Sequence, residues 1–352
     1  MSRQAPWLEP EPFLRGTAWR DRAGRSVRAD PADLARLPWD VAERAALPVG
    51  VRLEFTAAPG TRAVELRYRA AVPGPGDPLR ALRHGFALWR GGRCLAEVFA
   101  EPAEQATVRI ELPPGGGEFT IHLPEGQRPL VLGLRPSRGG ALSPAPRRPR
   151  WLVHGDSITE GWWATRPAHA WPAVAGRALG LDPVNLGYAG GARGELALAE
   201  HLARLPGALI TLAFGTNCWA AVPSSAPLLH ETTRAFVALV RRGHPDTPLL
   251  LLSPVLRPAA EHSGNALGAT LAELRTAMEE AVRDLMAAGD TRLALLPGRP
   301  LLGPEDLADG LHPDDRGHAR IAAAVAGALR AAGWAGRAAR PVRAAPPVRP
   351  DR

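Results

Sequence analysis

Between residues 48 and 135 apolar and polar positions alternate. Val51-Arg-Leu-Glu-Phe55, Val64-Glu-Leu-Arg-Tyr68, Val108-Arg-Ile-Glu-Leu112 and Phe119-Thr-Ile-His-Leu123 all follow this pattern. A period of two predicts strands with one buried and one wet side, and the interleaved Arg and Glu read as a solvated sheet face. Arg90-Gly-Gly-Arg93 separates Phe86–Trp89 from Cys94–Phe99, which predicts a hairpin turn. Short strands at regular spacing, broken by Pro and Gly, predict a β-sandwich of jelly-roll type. Residues 1–47 carry no clear period and are expected as an irregular lead-in to this domain.

Beyond residue 150 the rhythm changes. Short, nearly continuous apolar runs occupy 151–154, 183–186, 208–214, 249–253 and 292–296, the signature of strands buried on both faces. Helical patterns lie between them. Leu267, Leu271, Leu274, Met278, Val282 and Leu285 recur at spacings of three and four, and a last helix follows Pro313 through Ile321, Val325 and Leu329. Alternating strands and helices predict a parallel sheet covered on both sides. The expected division is a β-sandwich domain over 1–136, a Pro/Arg-rich linker over 137–150, an α/β domain over 151–335 and a disordered basic tail over 336–352.

The formal net charge of +8 suggests a nucleic-acid partner until it is mapped. Every one of the 43 cationic residues is Arg. The segments 137–150 and 336–352 each carry +4, so the rest of the chain is formally neutral and nucleic-acid binding by the folded part is not expected. No apolar run approaches the roughly 20 residues of a membrane span, and the first residues lack the apolar core of a signal peptide. A cytoplasmic location is the resulting expectation. Cys94 and Cys218 stand far apart and suggest neither a disulfide framework nor a zinc site.

Four groups of polar residues fall at strand ends: Gly155-Asp156-Ser157, Asn185 to Gly191, Gly215-Thr216-Asn217 and Asp309-Gly-Leu-His312-Pro313. Ligands bind outside the carboxyl ends of parallel strands, so these groups should share one rim. Ser157 taken alone reads as a helix N-cap, Asn217 as a turn residue and Asp309 as a loop carboxylate. Taken together they are chemically complementary. A Ser hydroxyl needs a base to accept its proton, which His312 can supply, and Asp309 can hold that imidazole in one tautomer. The oxyanion of acyl transfer needs fixed donors. Ser157 N–H, Gly190 N–H and the Asn217 amide are the candidates, with Gly191 as the alternative to Gly190.

On these four blocks, in this order, the sequence resembles the SGNH (GDSL) hydrolase family of serine esterases and lipases. The resemblance covers about 150 to 333 and implies a flavodoxin-like α/β/α fold, no cofactor and no catalytic metal. Members often carry Asp after the third-block Asn, where this chain has Cys218; no catalytic role is assigned to it. A jelly-roll-like module before such a domain is similar to two-domain carbohydrate acetylesterases. The implied reaction is hydrolysis of an O-acyl ester, short-chain and acetyl-like, on a small molecule such as an acylated sugar or polyol. A thioesterase or acyltransferase using the same triad, or a non-catalytic carbohydrate-binding protein, are the alternatives.

Aromatic residues crowd the motifs. Trp219 is the best candidate for lining the pocket, followed by Trp162 and Trp163, whereas Trp171 reads as core. His154 reads as a buried residue at a strand end. Asp314 and Asp315 read as the start of the last helix rather than metal ligands with His312 and His318. The oligomeric state is left open by the sequence.

Overall fold

The computed structural model describes residues 5–70, 85–220 and 222–334; the tail expected over 336–352 lies outside them. Its first layer is an antiparallel sandwich. One sheet orders β1 (Leu14–Arg15), β4 (Arg52–Ala57), β9 (Gly117–His122), β6 (Phe86–Arg90) and β7 (Arg93–Val98), with β11 (Leu142–Pro144) added to β4. The other orders β10 (Leu130–Ser137), β5 (Ala63–Arg69) and β8 (Ala106–Glu111). The apolar half of each alternation meets in one core: Leu53, Phe55, Leu88 and Ile121 from the first sheet face Val64, Leu66, Ile110 and Leu134 from the second. The expected hairpin joins β6 to β7. A separate two-stranded ribbon pairs β2 (Trp19–Arg20) with β3 (Ser26–Val27).

The second unit is a five-stranded parallel sheet. Its strands are β12 (Arg150–Gly155), β13 (Asp182–Gly187), β14 (Leu209–Ala213), β15 (Leu249–Leu252) and β16 (Leu293–Leu296), in spatial order β13-β12-β14-β15-β16. This is the flavodoxin-like order, and β12 lies where the winding reverses. Besides the short α2 (Ser157–Glu160) and α6 (Pro258–Glu261), long helices cover both faces. On one face, α3 (Trp171–Leu179) and α8 (Asp315–Ala331) bury Trp171, Ala175, Ile321 and Val325. On the other, α4 (Leu196–Arg204), α5 (Ala226–Gly243) and α7 (Leu271–Ala287) bury Leu198, Phe236, Leu274 and Met278. The helical pattern placed Leu267 at the start of α7. The helix instead begins at Leu271, because Thr270 and Glu273 form a reciprocal capping box, and Leu267 is exposed. Asp314 caps α8 by accepting from Gly317 N–H. Among the described residues, no helix is long and apolar enough to cross a membrane.

The two units are tied by more than a linker, and the N-terminal segment does not simply lead into the sandwich. Ala29, Leu37 and, from α1 (Trp39–Ala45), Val41 and Ala45 pack into the core of the parallel sheet. Asp33 accepts from His201 at 3.0 Å and Arg204 at 2.9 Å, and Arg193 donates to Asp40 at 2.8 Å. The stretch 137–150 is held along its length: Ser137 ends β10, β11 pairs with β4 in the middle, and Arg150 opens β12. The Arg and Glu face of β4 also departs from expectation: it is buried rather than solvated. Arg52, 6% exposed, donates to Glu54 at 2.8 Å and across the interface to Asp182 at 2.8 Å. The alternation was real, but both faces of β4 are covered, one by the sandwich core and one by the α/β unit.

Candidate active site

At the carboxyl end of β12 the chain turns sharply into α2. Asp156 caps that helix, accepting from Ile158 N–H at 3.0 Å, which leaves Ser157 as its first residue. Burial pushes the Asp156 carboxyl up to about 6, against the lowering effect of the Ile158 N–H, the Thr216 hydroxyl and His312. The helix lies almost against β13. A Cβ on Gly187 would come within 2.3 Å of Glu160 N, so only glycine permits this approach. Asn185 fastens the same contact, donating to Thr159 O at 2.7 Å and accepting from Gly187 N–H at 2.9 Å.

Ser157 and His312, far apart in sequence, meet here. The Ser157 Oγ and His312 Nε2 lie 2.9 Å apart, and His312 Nδ1 is 2.8 Å from Asp309 Oδ2. The second oxygen of Asp309 accepts from Leu311 N–H at 3.0 Å and His312 N–H at 2.7 Å. The Asp–Gly–Leu–His turn therefore folds around its own carboxylate. Burial raises that carboxyl, but the His312 backbone N–H and ring and the Leu311 N–H outweigh it, and its pKa is held below the usual carboxylate value. Asp309 is thus an acceptor at neutral pH, fit to orient Nδ1–H and leave Nε2 free to take a proton.

Two further groups face the same rim. Gly190 is exposed and has a φ of +77°, with open space where a Cβ would stand. The preceding amide, Ala189 N–H, donates to Glu160 Oε2 at 2.7 Å, fixing this loop on α2. Asn217, beyond β14, donates one Nδ2 hydrogen to Gly191 O at 2.6 Å, and the other has no acceptor among the described residues. The Ser157 N–H opens α2, where no preceding turn offers an acceptor.

The tryptophans divide. Trp162 stacks on the His312 ring (centroids 5.4 Å apart, 28° between planes), and the Arg44 guanidinium lies over it at 5.2 Å. Its carbonyl sits 3.0 Å from His318 Nε2. Trp163 is exposed, at a φ of +64°. Trp219 is half-buried, donating to Ser263 O at 2.7 Å beneath the Arg257 guanidinium. Trp171 is core against Trp151, and His154 is buried on Phe236. Cys218 is buried with its thiol pushed up to about 12, mainly by burial, so it stays protonated. Arg44 and Glu160 were not singled out in the sequence. Arg44 comes from a segment without periodicity, and Glu160 reads as an ordinary helical acid.

Residues 153–320 match the GDSL-like lipase/acylhydrolase family. The chain is similar in structure to the salicylyl-acyltransferase SsfX3 from a tetracycline biosynthetic pathway, with 26% identity, a TM-score of 0.81, and coverage of 95% of this chain and 99% of that one. It is also similar to a GDSL-like protein from Bacteroides ovatus (23%, 0.77, 94% and 98%). A family two carbohydrate esterase from Clostridium thermocellum, solved with cellohexaose, shares the fold at 17% identity and a TM-score of 0.62, over 81% and 92% of the two chains. No curated protein sequence matches.

Proposed function

We propose, for a chain whose residues 153–320 belong to the GDSL-like lipase/acylhydrolase family, that Ser157 is the nucleophile of a serine esterase. His312 takes the Ser157 proton on Nε2 as Oγ attacks the ester carbonyl, and Asp309 stabilises the imidazolium that forms. Ser157 N–H, Gly190 N–H and the free Asn217 Nδ2 hydrogen receive the oxyanion. Collapse expels the alcohol, which takes the proton from His312, and leaves an acyl group on Ser157. Water, deprotonated by the same nitrogen, then releases the acid. No cofactor enters any of these steps. The observation that carries this reading is the unbroken chain Asp309–His312–Ser157, at 2.8 and 2.9 Å.

The proposed substrate is a short acyl ester of a small alcohol, an acylated sugar or polyol. The two-domain likeness to carbohydrate esterases supports this class. A second reading is favoured by the similarity to an acyltransferase along nearly the whole of both chains: the acyl-enzyme passes its group to an alcohol instead of water. Hydrolysis of p-nitrophenyl acetate, with acceptor alcohols in competition and product analysis, separates the two. Ser157→Ala is expected to lose several orders of magnitude in rate in either case. Wild-type turnover by a folded Ser157→Ala protein refutes both.

A further inference from the structure

Gly191 N–H donates to Tyr188 O at 3.0 Å. Gly190 N–H has no acceptor among the described residues, so of the two neighbouring amides it is the unspent donor. Nothing bonds to that N–H, and its direction depends on the peptides on either side. A glycine without a Cβ, at a φ of +77°, does little to fix it. On the N-terminal side, Ala189 N–H donates to Glu160 Oε2 at 2.7 Å. On the C-terminal side, Gly190 O accepts from Arg193 Nη1 at 2.9 Å.

Both restraints lead back to the N-terminal segment. Arg193 Nη1 also donates to Asp40 Oδ2 at 2.8 Å, and its Nη2 to Asp40 Oδ1 at 3.2 Å. A two-pronged bond of this kind fixes the plane of the guanidinium as well as its position. Arg193 Nε and its backbone N–H are taken by Glu195, at 3.1 and 2.7 Å. Asp40 is steadied in turn by Val41 N–H at 2.9 Å. The Val41 side chain fills the space beside Gly191, where an added Cβ would come within 2.6 Å of its Cγ2. Glu160 is faced by Arg28 Nη2 at 3.6 Å and Arg44 Nη1 at 3.8 Å, and Arg28 O accepts from the Tyr188 hydroxyl at 2.6 Å. The loop that carries Gly190 therefore lies in a cradle of groups from 28–44, and the Asp40–Arg193 pair joins residues 153 positions apart in sequence.

We infer that Asp40, acting through Arg193, is a positioning residue of the proposed acyl transfer: it holds the Gly190 carbonyl and so aims the Gly190 N–H at the developing oxyanion. This inference rests on the reading of Ser157 as the nucleophile. The site of the α/β unit is then completed by a segment that precedes the sandwich in sequence. An oxyanion donor has its full effect only when it is fixed in place beforehand, and a misplacement of about 1 Å caused away from the chemistry costs up to about 10²-fold. Asp40 touches no reacting atom, so its removal lowers kcat and leaves substrate binding as it is.

The test is steady-state hydrolysis of p-nitrophenyl acetate by the full chain carrying Asp40→Ala, Arg193→Ala, both together, or Asp33→Ala, with circular dichroism to verify folding. Asp33→Ala breaks the contacts of the same segment with His201 and Arg204 and none with the loop. Asp40→Ala is expected to lose about 10- to 100-fold in kcat with KM little changed. A trifluoromethyl ketone, which adds to Ser157 and sets an oxyanion in the same position, should bind more weakly by a similar factor. Arg193→Ala carries the same expectations, so the inference stays open to refutation if one variant fails to fold. The double variant should fall no more than about twofold below the worse single one, because the two residues act in one chain. Asp33→Ala should lower Tm and keep kcat within about threefold of wild type. A folded Asp40→Ala enzyme within about threefold of wild type, a loss confined to KM, multiplied losses in the double variant, or an equal loss in Asp33→Ala overturns the inference. Turnover that survives Ser157→Ala refutes the nucleophile reading and this inference with it, whereas turnover that needs Ser157 but ignores Asp40 refutes this inference alone.

Discussion

Asp309→Asn isolates the orienting role proposed for the carboxylate from its role in the turn. Oδ1 of Asp309 accepts from two backbone N–H groups, at 2.7 and 3.0 Å. An asparagine keeps its carbonyl oxygen there, because flipping the amide would set an NH2 against two donors. The NH2 then replaces Oδ2, 2.8 Å from His312 Nδ1. It donates to Nδ1 and drives the ring proton onto Nε2, so the nitrogen facing Ser157 becomes a donor where an acceptor is needed. Restoring the productive tautomer means breaking that bond and facing two donors, at about 2–3 kcal/mol. Losing the charge-assisted bond to the developing imidazolium costs about 1.5–3 kcal/mol more. The Asp309 side chain is 33% exposed, so bulk Coulomb attraction contributes little beyond these directional bonds. Together they amount to about 3.5–6 kcal/mol, or a roughly 4 × 10²- to 2 × 10⁴-fold fall in kcat/KM. The assay is steady-state hydrolysis of p-nitrophenyl acetate, with Tm and circular dichroism showing that the fold persists. A folded Asp309→Asn enzyme within about tenfold of wild type, well short of that fall, refutes the orienting role.

Three further outcomes are expected. Asn217→Ala, losing one of the proposed oxyanion donors, should lower kcat by about 10²–10³ with KM little changed; steady-state kinetics decides, and a loss confined to KM contradicts the role. Arg52→Met strands Glu54 and Asp182 in the interface, and removing one partner of such a buried pair should cost about 3–5 kcal/mol in urea unfolding. Asp156, raised to about 6 by burial, binds its proton more tightly folded than unfolded. Its contribution is therefore present below about pH 4 and lost as the pH rises towards 6. Asp156→Asn keeps the acceptor for Ile158 N–H and should gain up to about 3 kcal/mol at pH 7 and almost nothing at pH 4. Equal effects at the two pH values contradict that reading.

The sequence carried the parts of the fold that rest on local repetition. Buried parallel strands announce themselves as apolar runs, and all five predicted runs became β12–β16. The alternation of the first domain fixed which residues enter the sandwich core, since period two follows from backbone geometry alone. The polar residues at strand ends were legible because a parallel sheet brings its carboxyl ends to one rim. Ser157, His312 and Asp309 could be named together before any distance was known.

Other features had no such signal. Arg52 and Glu54 looked like a wet sheet face, since the sequence of β4 does not say that a second domain covers it. Residues 29–45 looked like lead-in, because their apolar positions pair with helices more than 100 residues away. The stack of Arg44 and Trp162 on His312 joins groups from separate elements. By itself the sequence determined strands, helices and the chemistry at their ends, which depend on neighbours along the chain. Tertiary structure alone decided which polar faces are buried, what steadies His312 and which segment holds Arg193, because those depend on distances in space that no local period records.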